Sequence, residues 1–158
     1  MRKYAKLYNP IVSFLLRLGL PIGPQALLTV TGRRSGLPRT TPVAINRSGD
    51  GWHLISVYGR VDWVWNLEAA GRALITRRLR RFQVTVRQLT PDEAAPVLRE
   101  TLSTANPFIR SLLGRYFAAD PKAPLEAWLE EAARHPVFFL TPASDLKPST
   151  LRTLDSVE

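Results

Sequence analysis

Three β-rich runs follow one another with only tight turns between them, and this spacing constrains the fold more than any other feature. The runs are Ala26–Thr31, Arg39–Arg47 and Trp52–Tyr58, separated by the turn sequences RRSGLP and SGDG. Turns this short join antiparallel strands, because a parallel pair needs a crossover of a dozen or more residues. The spacing therefore disfavours a doubly wound parallel sheet.

A short helix and a second group of strands come next. Asp62 is predicted to cap the helix, and Gly71 to end it. Two further strands, Ala73–Leu79 and Phe82–Leu89, are expected to join at Arg80–Arg81 as a hairpin. The chain has thus reached its fifth strand with no long crossover.

The second half of the chain is mainly helical before one last strand. Thr90 and Glu93 form a capping box that starts a helix running to about residue 103. Pro124 opens an amphipathic helix over Leu125–Arg134, and the segment between the two helices is irregular or helical. The residues His135–Thr141 predict the sixth strand. This order predicts a mainly β, α+β fold, an antiparallel barrel of six strands with peripheral helices.

A basic, partly apolar segment precedes the first strand. Arg2, Lys3 and Lys6 stand before the apolar run Ile11–Leu16, which is too short for a transmembrane span or a signal sequence. The segment is therefore predicted to be a helix that either covers one end of the core or contacts the inner face of a membrane, in a cytoplasmic protein. The chain divides into an N-terminal helix and lead-in (1–24), a barrel domain (25–142) and a polar C-terminal tail (143–158).

Positive charge is concentrated in the first part of the chain. Residues 1–90 hold 15 of the 22 Lys/Arg residues but only 3 of the 13 Asp/Glu residues, and the net charge is +9. Such a field favours an anionic partner, whether a phosphate-bearing ligand, a nucleic acid or an acidic lipid. The run Arg77–Arg81 is expected at a hairpin, where charged side chains are solvated. Nucleic acid is the least favoured partner, because only Phe82 is at hand for base stacking.

The sequence has few side chains that are suited to metal or thiol chemistry. The chain has no cysteine, which excludes disulfides, thiolate nucleophiles and cysteine-ligated metals. Its two histidines, His53 and His135, are far apart in sequence and are expected to be structural. No metal site is therefore predicted.

The segment Thr31–Pro42 combines glycines, arginines and hydroxyl groups in one turn. Two glycines within five residues allow a sharp turn with exposed backbone N–H groups, and the nearby arginines can bind phosphate or carboxylate in bidentate fashion. The residues by themselves fit equally well an anion-binding turn and an ordinary hairpin with solvated arginines.

The sequence TVTGRRSGLPRTTPV resembles the motif of the deazaflavin-dependent nitroreductase family, whose pattern is TGRxSG followed by a further arginine and a proline. The second motif of that family, W-x-x-N-L, is matched by Trp63, Asn66 and Leu67, and the closing HPVFFL is similar to its last strand. The resemblance covers residues 25–142 and rests on two motifs in the right order.

This resemblance implies a split β-barrel, related to FMN-binding pyridoxamine-oxidase-like proteins, that binds coenzyme F420. The arginines would meet the phosphate and acidic tail of the cofactor, with FMN as the alternative cofactor. The threonine–proline pair Thr41-Pro42 would lie near its ring. The cofactor-binding residues so implied are Thr31, Gly32, Arg33, Arg34, Ser35, Gly36, Arg39, Thr41, Pro42, Val57, Tyr58, Gly59, Arg60, Trp63 and Asn66.

The expected activity is an F420-dependent oxidoreductase that reduces a small or lipophilic acceptor such as a quinone, an enone or a nitro compound. The loop before Trp63 is shorter than is usual in the family, so the acceptor is left open. Tyr58 is the candidate catalytic proton donor, and Tyr116 is the other tyrosine that could serve. A non-catalytic F420 or lipid binder is the alternative function, and either a homodimer or a capped monomer is compatible with the sequence.

Overall fold

Six strands close into one antiparallel barrel in the order β1-β2-β3-β6-β5-β4, which confirms the predicted class. The computed structural model describes residues 25–143. The strands are β1 (Gln25–Thr31), β2 (Pro38–Ser48), β3 (Gly51–Ile55), β4 (Arg72–Arg77), β5 (Arg80–Gln88) and β6 (Val137–Pro142). The helices are α1 (Asp62–Ala70), α2 (Pro91–Thr104), α3 (Pro107–Leu113) and α4 (Leu125–Arg134).

The predicted N-terminal helix and the tail beyond residue 143 lie outside the described residues. The division of the chain into lead-in, barrel domain and tail therefore stays a prediction. Within residues 25–143, no helix is both long and apolar enough to cross a bilayer.

Apolar side chains fill the barrel in the alternation that strands impose. Ala26, Leu28 and Val30 of β1 point inward, and the Trp52 ring lies 5.1 Å from that of Phe82 across the interior. A second apolar cluster packs α2 and α4 against the outside of the barrel. Its largest fully buried side chains are Leu98, Leu102 and Trp128.

Because neighbouring strands of the barrel are antiparallel, the connections between them lie at its two opposite ends. The turn 32–37, the loop 56–61, α1 and the segment carrying α2, α3 and α4 all lie at one end, called here the helical end. The turn 49–50 and the turn between β4 and β5 lie at the other, called the hairpin end. The first residue of β1 and the last of β6 are also at the hairpin end.

Three predicted boundaries were wrong for local reasons, and β6 begins two residues later than predicted, at Val137, because His135 caps α4. The β4–β5 turn is formed by Arg78 and Leu79, both with positive φ, rather than by Arg80–Arg81. The strand β3 stops at Ile55, because the Ser56 hydroxyl bonds to the Gly59 carbonyl and turns the chain. Helix α1 has Val61 at its N-cap position, and Asp62 is its first residue. The capping box of Thr90 and Glu93 and the bounds of α4 are as predicted.

Candidate functional site

The turn between β1 and β2 is closed by hydrogen bonds between its own backbone groups. The Gly32 N–H donates to the Leu37 carbonyl at 2.8 Å, and the Gly36 N–H donates to the Gly32 carbonyl at 2.8 Å. A Cβ on Gly32 would lie 2.8 Å from the Ser35 hydroxyl oxygen, and Gly36 has φ +67°. The positive φ favours glycine at position 36, a Cβ at position 32 would require Ser35 to move, and the outer surface of the turn is open at Gly36.

Arg33 fastens this turn to helix α1. Its backbone N–H and its Nη1 both donate to Asn66 Oδ1, at 3.1 and 2.9 Å, and Nη2 lies 3.2 Å from the Asp62 carboxylate. Asn66 is only 7% exposed. The predicted site residues Arg33 and Asn66 are thus brought together, and their contacts hold the turn in place.

Arg34 and Arg39 have a different environment from Arg33. Both side chains are exposed, as are Ser35 and Gly36 between them. Within the described part of the chain, neither guanidinium is engaged in a hydrogen bond or ion pair. Two free guanidinium groups and a hydroxyl on one turn form a donor set suited to a phosphate or carboxylate group.

The first part of β2 presents an unpaired edge beside this turn. Among the described residues, positions 38–44 of β2 pair only with β1, whereas β3 pairs with β2 from Ile45 onward. Thr31 pairs with Pro38 at the end of β1, and Thr41 and Pro42 are half-buried along the edge. The lack of an N–H on Pro42 is tolerated here because none of the six described strands lies on that side.

The loop after β3 divides the predicted residues into two groups. Val57, Tyr58 and Gly59 line an open cleft, and Gly59 makes the turn with φ +75°. Arg60 instead forms an ion pair with Glu68 and lies over the Trp65 ring, 5.0 Å from its centroid. The arginine is therefore directed to α1 and away from the cleft.

The cleft has a volume of about 510 Å³ and lies at the helical end of the barrel. The Tyr58 and Tyr116 rings meet edge to face on its wall, with centroids 5.0 Å apart. Tyr58 is 67% exposed. Trp63 is not part of this wall and packs against Phe138 at 6.2 Å. The lining residues are Val57, Tyr58, Gly59, Arg115, Tyr116, Phe117, Ala118, Arg134 and His135.

A buried carboxylate that the sequence analysis missed organises this cleft. Glu131 is 1% exposed, and its Oε1 accepts from the backbone N–H groups of Ala118 and Ala119 and from Arg134 Nη2. Its Oε2 lies 3.3 Å from His135 Nε2, but this oxygen makes no hydrogen bond.

His135 joins the network to the loop after β3. Its Nδ1 lies 3.4 Å from the Ser56 carbonyl oxygen, and its ring packs 4.4 Å from that of Phe117. The i, i+4 spacing of Glu131 and His135, on a helix whose Trp128 faces the core, was the available sequence signal. The other histidine, His53, packs against Phe139 in the sheet, and burial lowers its pKa against a smaller opposing effect of Glu100.

Metal binding has no support in the described region. No group of three or more His, Asp or Glu side chains in residues 25–143 is arranged to hold a metal ion. The arrangement at the helical end instead offers arginines for an anion, an unpaired strand edge and an aromatic cleft.

Comparisons with known proteins give one family match and several structural likenesses. The family model described as F420H(2)-dependent quinone reductase matches residues 1–111. A solved structure described as a domain-swapped dimer is 15% identical, with 83% of this chain and 94% of that chain covered and a TM-score of 0.51. A pyridoxamine 5'-phosphate oxidase-related, FMN binding protein from Nostoc punctiforme PCC 73102 is 13% identical. The match covers 84% of this chain and 78% of that chain, with a TM-score of 0.50.

At these low sequence identities, the likeness to the solved structures shows only that the folds are similar. Curated protein sequences yield no match to the chain. The family model covers both motifs singled out in the sequence, the turn with its glycines and arginines and the helix that carries Asn66.

The Arg33–Asn66 contact leads to a stability prediction. Asn66→Ala removes the acceptor of two donors, one of them a backbone N–H in a part-buried position, and should lower the free energy of unfolding by about 1–3 kcal/mol. Urea denaturation measures this loss. Asp62→Ala is the control, because it removes only the exposed partner of Arg33 and should change stability little. Equal effects of the two substitutions would contradict the role given to Asn66.

Proposed function

We propose, from the premise that the chain belongs to the F420H2-dependent quinone reductase family, that it reduces a lipophilic acceptor of the quinone type. The chain is accordingly an oxidoreductase, and its cofactor is coenzyme F420. The observation that carries the proposal is that the arginine turn, the unpaired edge of β2 and the tyrosine cleft all lie at the same end of the barrel. An enone or a nitro compound is the alternative acceptor.

Arg34 and Arg39 would bind the phosphate and acidic tail of the cofactor. Their guanidinium groups are exposed on the turn and can each make bidentate contacts with an oxyanion. Ser35 adds a hydroxyl donor, and Gly36 allows the tail to approach the backbone, since a Cβ there would meet nothing within 4 Å. The residues present therefore fit the anionic part of F420.

The ring of the cofactor would lie along the unpaired edge of β2. Thr41 and Pro42 border that edge, and the loop Val57–Gly59 begins where β3 leaves β2. When bound, reduced F420 supplies a hydride, and the protein contributes position and the exclusion of water. Thr31, Gly32, Arg33, Trp63 and Asn66 would support the site by fixing the turn and α1. The predicted contact of Arg60 would require it to leave Glu68.

The acceptor would occupy the cleft beside Tyr58. A quinone that receives a hydride becomes an oxyanion, which needs one proton to give the hydroquinone. The hydroxyl of Tyr58 is the proposed donor of that proton, because Tyr58 lines the cleft and Tyr116 contacts its ring edge to face. Arg115 and Arg134 add positive charge to the cleft, which would stabilise the oxyanion as it forms.

The anion site is tested by fluorescence titration with F420, FMN and FAD. We expect saturable F420 binding that the double substitution Arg34→Ala/Arg39→Ala weakens at least tenfold, because two charge-assisted contacts are lost. Arg80→Gln/Arg81→Gln, which removes the same charge at the hairpin end, should leave the affinity unchanged. Equal losses in the two double variants would refute a local anion site.

The same titration separates the alternatives. Saturable binding of FMN without binding of F420 would indicate an FMN enzyme on this fold. Tight F420 binding with no acceptor turnover would indicate a cofactor carrier.

The acceptor site is tested by oxidation of reduced F420 with menadione. Tyr58→Phe should reduce kcat, by up to the hundredfold or more typical of a lost acid catalyst, while cofactor affinity stays unchanged. Tyr116→Phe keeps the ring and should have the smaller effect. A normal kcat in Tyr58→Phe would exclude this hydroxyl as the proton donor.

A homodimer is the proposed assembly. The support is the solved structure of similar fold that is described as a domain-swapped dimer. Light scattering after size-exclusion chromatography should give twice the mass of one chain. A single-chain mass over the accessible concentration range would contradict the proposal.

A further inference from the structure

Three of the four buried polar side chains among the described residues lie together beside the cleft. They are Ser56, Glu131 and His135, and each is at most 8% exposed. His135 contacts both of the others, within 3.4 Å. Because the burial of polar and charged groups costs free energy unless they find partners, their concentration at one place indicates a role other than filling the core.

Glu131 fastens one segment of the cleft to helix α4. Its Oε1 accepts hydrogen bonds from the backbone N–H groups of Ala118 and Ala119, at 2.8 and 3.1 Å. Ala118 lies two residues after Tyr116, and both residues line the cleft. Residues 114–124 form neither a helix nor a strand. The two bonds to the carboxylate therefore fix a stretch of backbone that no regular element holds.

His135 fastens the other tyrosine-bearing segment to the end of the same helix. It is the C-cap residue of α4, and its Nδ1 lies 3.4 Å from the Ser56 carbonyl oxygen. The Ser56 N–H donates to the Pro136 carbonyl at 2.9 Å, and its hydroxyl donates to the Gly59 carbonyl. Tyr58 lies within the turn that this hydroxyl closes. The loop that carries Tyr58 is therefore attached to the chain at the end of α4.

The carboxylate of Glu131 is held at a cost to stability. Its Oε2 is buried without a hydrogen bond, although it lies 3.3 Å from His135 Nε2. A buried carboxylate oxygen that lacks a hydrogen bond is unfavourable. An apolar side chain of similar size would fill the same space without this cost, but it could hold neither backbone N–H group. The carboxylate is therefore explained by the position of its neighbours rather than by stability alone.

We propose that Glu131 and His135 are positioning residues that hold the two tyrosines of the cleft in place. Tyr58 and Tyr116 belong to separate segments of the chain, yet their rings meet with centroids 5.0 Å apart. Each segment is attached to one of two residues that stand one helical turn apart at the end of α4. That this pair thereby shapes the site of the acceptor rests on the function proposed above.

Amide hydrogen exchange followed by mass spectrometry tests the positioning directly. Glu131→Ala should speed exchange in the peptide covering residues 115–120 by roughly tenfold, because the acceptor of two N–H groups is lost. Glu131→Gln keeps an accepting oxygen and should leave exchange unchanged. Glu131→Asp keeps the charge but draws the carboxylate back by one methylene group, so it should behave as the alanine variant does. Glu130→Ala, which alters an exposed neighbour on the same helix, is the control.

The histidine is tested in the same experiment. His135→Ala should speed exchange in the loop 56–60, which loses the contact at the Ser56 carbonyl. His53→Ala is the matched control, because His53 lies in β3 and does not line the cleft. Unchanged exchange in the loop of His135→Ala would remove the histidine from the proposal.

The consequence for the acceptor is measured by oxidation of reduced F420 with menadione. Glu131→Asp should raise the KM for menadione roughly tenfold, since a displacement of about 1 Å at a binding site is enough for such losses. The affinity for F420, measured by fluorescence titration, should stay unchanged, because none of the described contacts of Glu131 is with the turn 32–37. Glu131→Gln should restore the KM of the unmodified protein.

Several results would overturn the proposal. Unchanged exchange over residues 115–120 in Glu131→Ala and Glu131→Asp is one, and faster exchange with an unaltered KM for menadione is another. Normal behaviour of Glu131→Asp with a loss in Glu131→Gln would assign the effect to charge rather than to position. Equal weakening of menadione and F420 binding would show a general loss of structure. If the unmodified protein binds F420 but does not turn over menadione, the proposed function fails, and the exchange rates still decide whether the pair holds the two segments.

Discussion

The pairing of β1 with β4 is the contact on which the rest of the structure depends. Leu27, Leu28 and Thr29 pair with Thr76, Ile75 and Leu74, and this short register closes the sheet into a barrel. Because the two strands are far apart in sequence, the chain between them must return through α1 at the helical end. That return brings Asn66 under the turn between β1 and β2, where it holds Arg33.

The arginines of the basic half differ in what they do because the fold gives them different partners. Arg33 is a tether, because its guanidinium group donates hydrogen bonds to Asn66 and to the Asp62 carbonyl and forms an ion pair with the Asp62 carboxylate. Arg34 and Arg39, close by in sequence, are exposed and make no hydrogen bond or ion pair with the described residues. The arginines of the β4–β5 hairpin lie at the other end of the barrel. The positive charge that is concentrated in one part of the sequence is thus divided between the two ends of the barrel.

The helical end carries both the turn between β1 and β2 and a cleft whose walls are held by a buried carboxylate. Glu131 accepts hydrogen bonds from two backbone N–H groups in the segment that also carries Tyr116 and Phe117. Its neighbour His135 contacts the Ser56 carbonyl, in the loop that carries Tyr58. The carboxylate is buried with several partners, as a buried charge must be. The cleft that we propose for the acceptor therefore has its shape set by residues far from the two motifs in the sequence.

Local patterns in the sequence determined the strands, the capping box at Thr90, the bounds of α4 and the two motifs that identify the family. These depend on turn chemistry and on periodicity over a few residues, which the sequence carries directly. Only the tertiary structure decided that Arg33 pairs with Asn66, that Arg60 turns to Glu68 and that Glu131 is buried beside the cleft. Such contacts depend on which elements meet after the barrel closes, and no local pattern specifies the register or direction of that meeting.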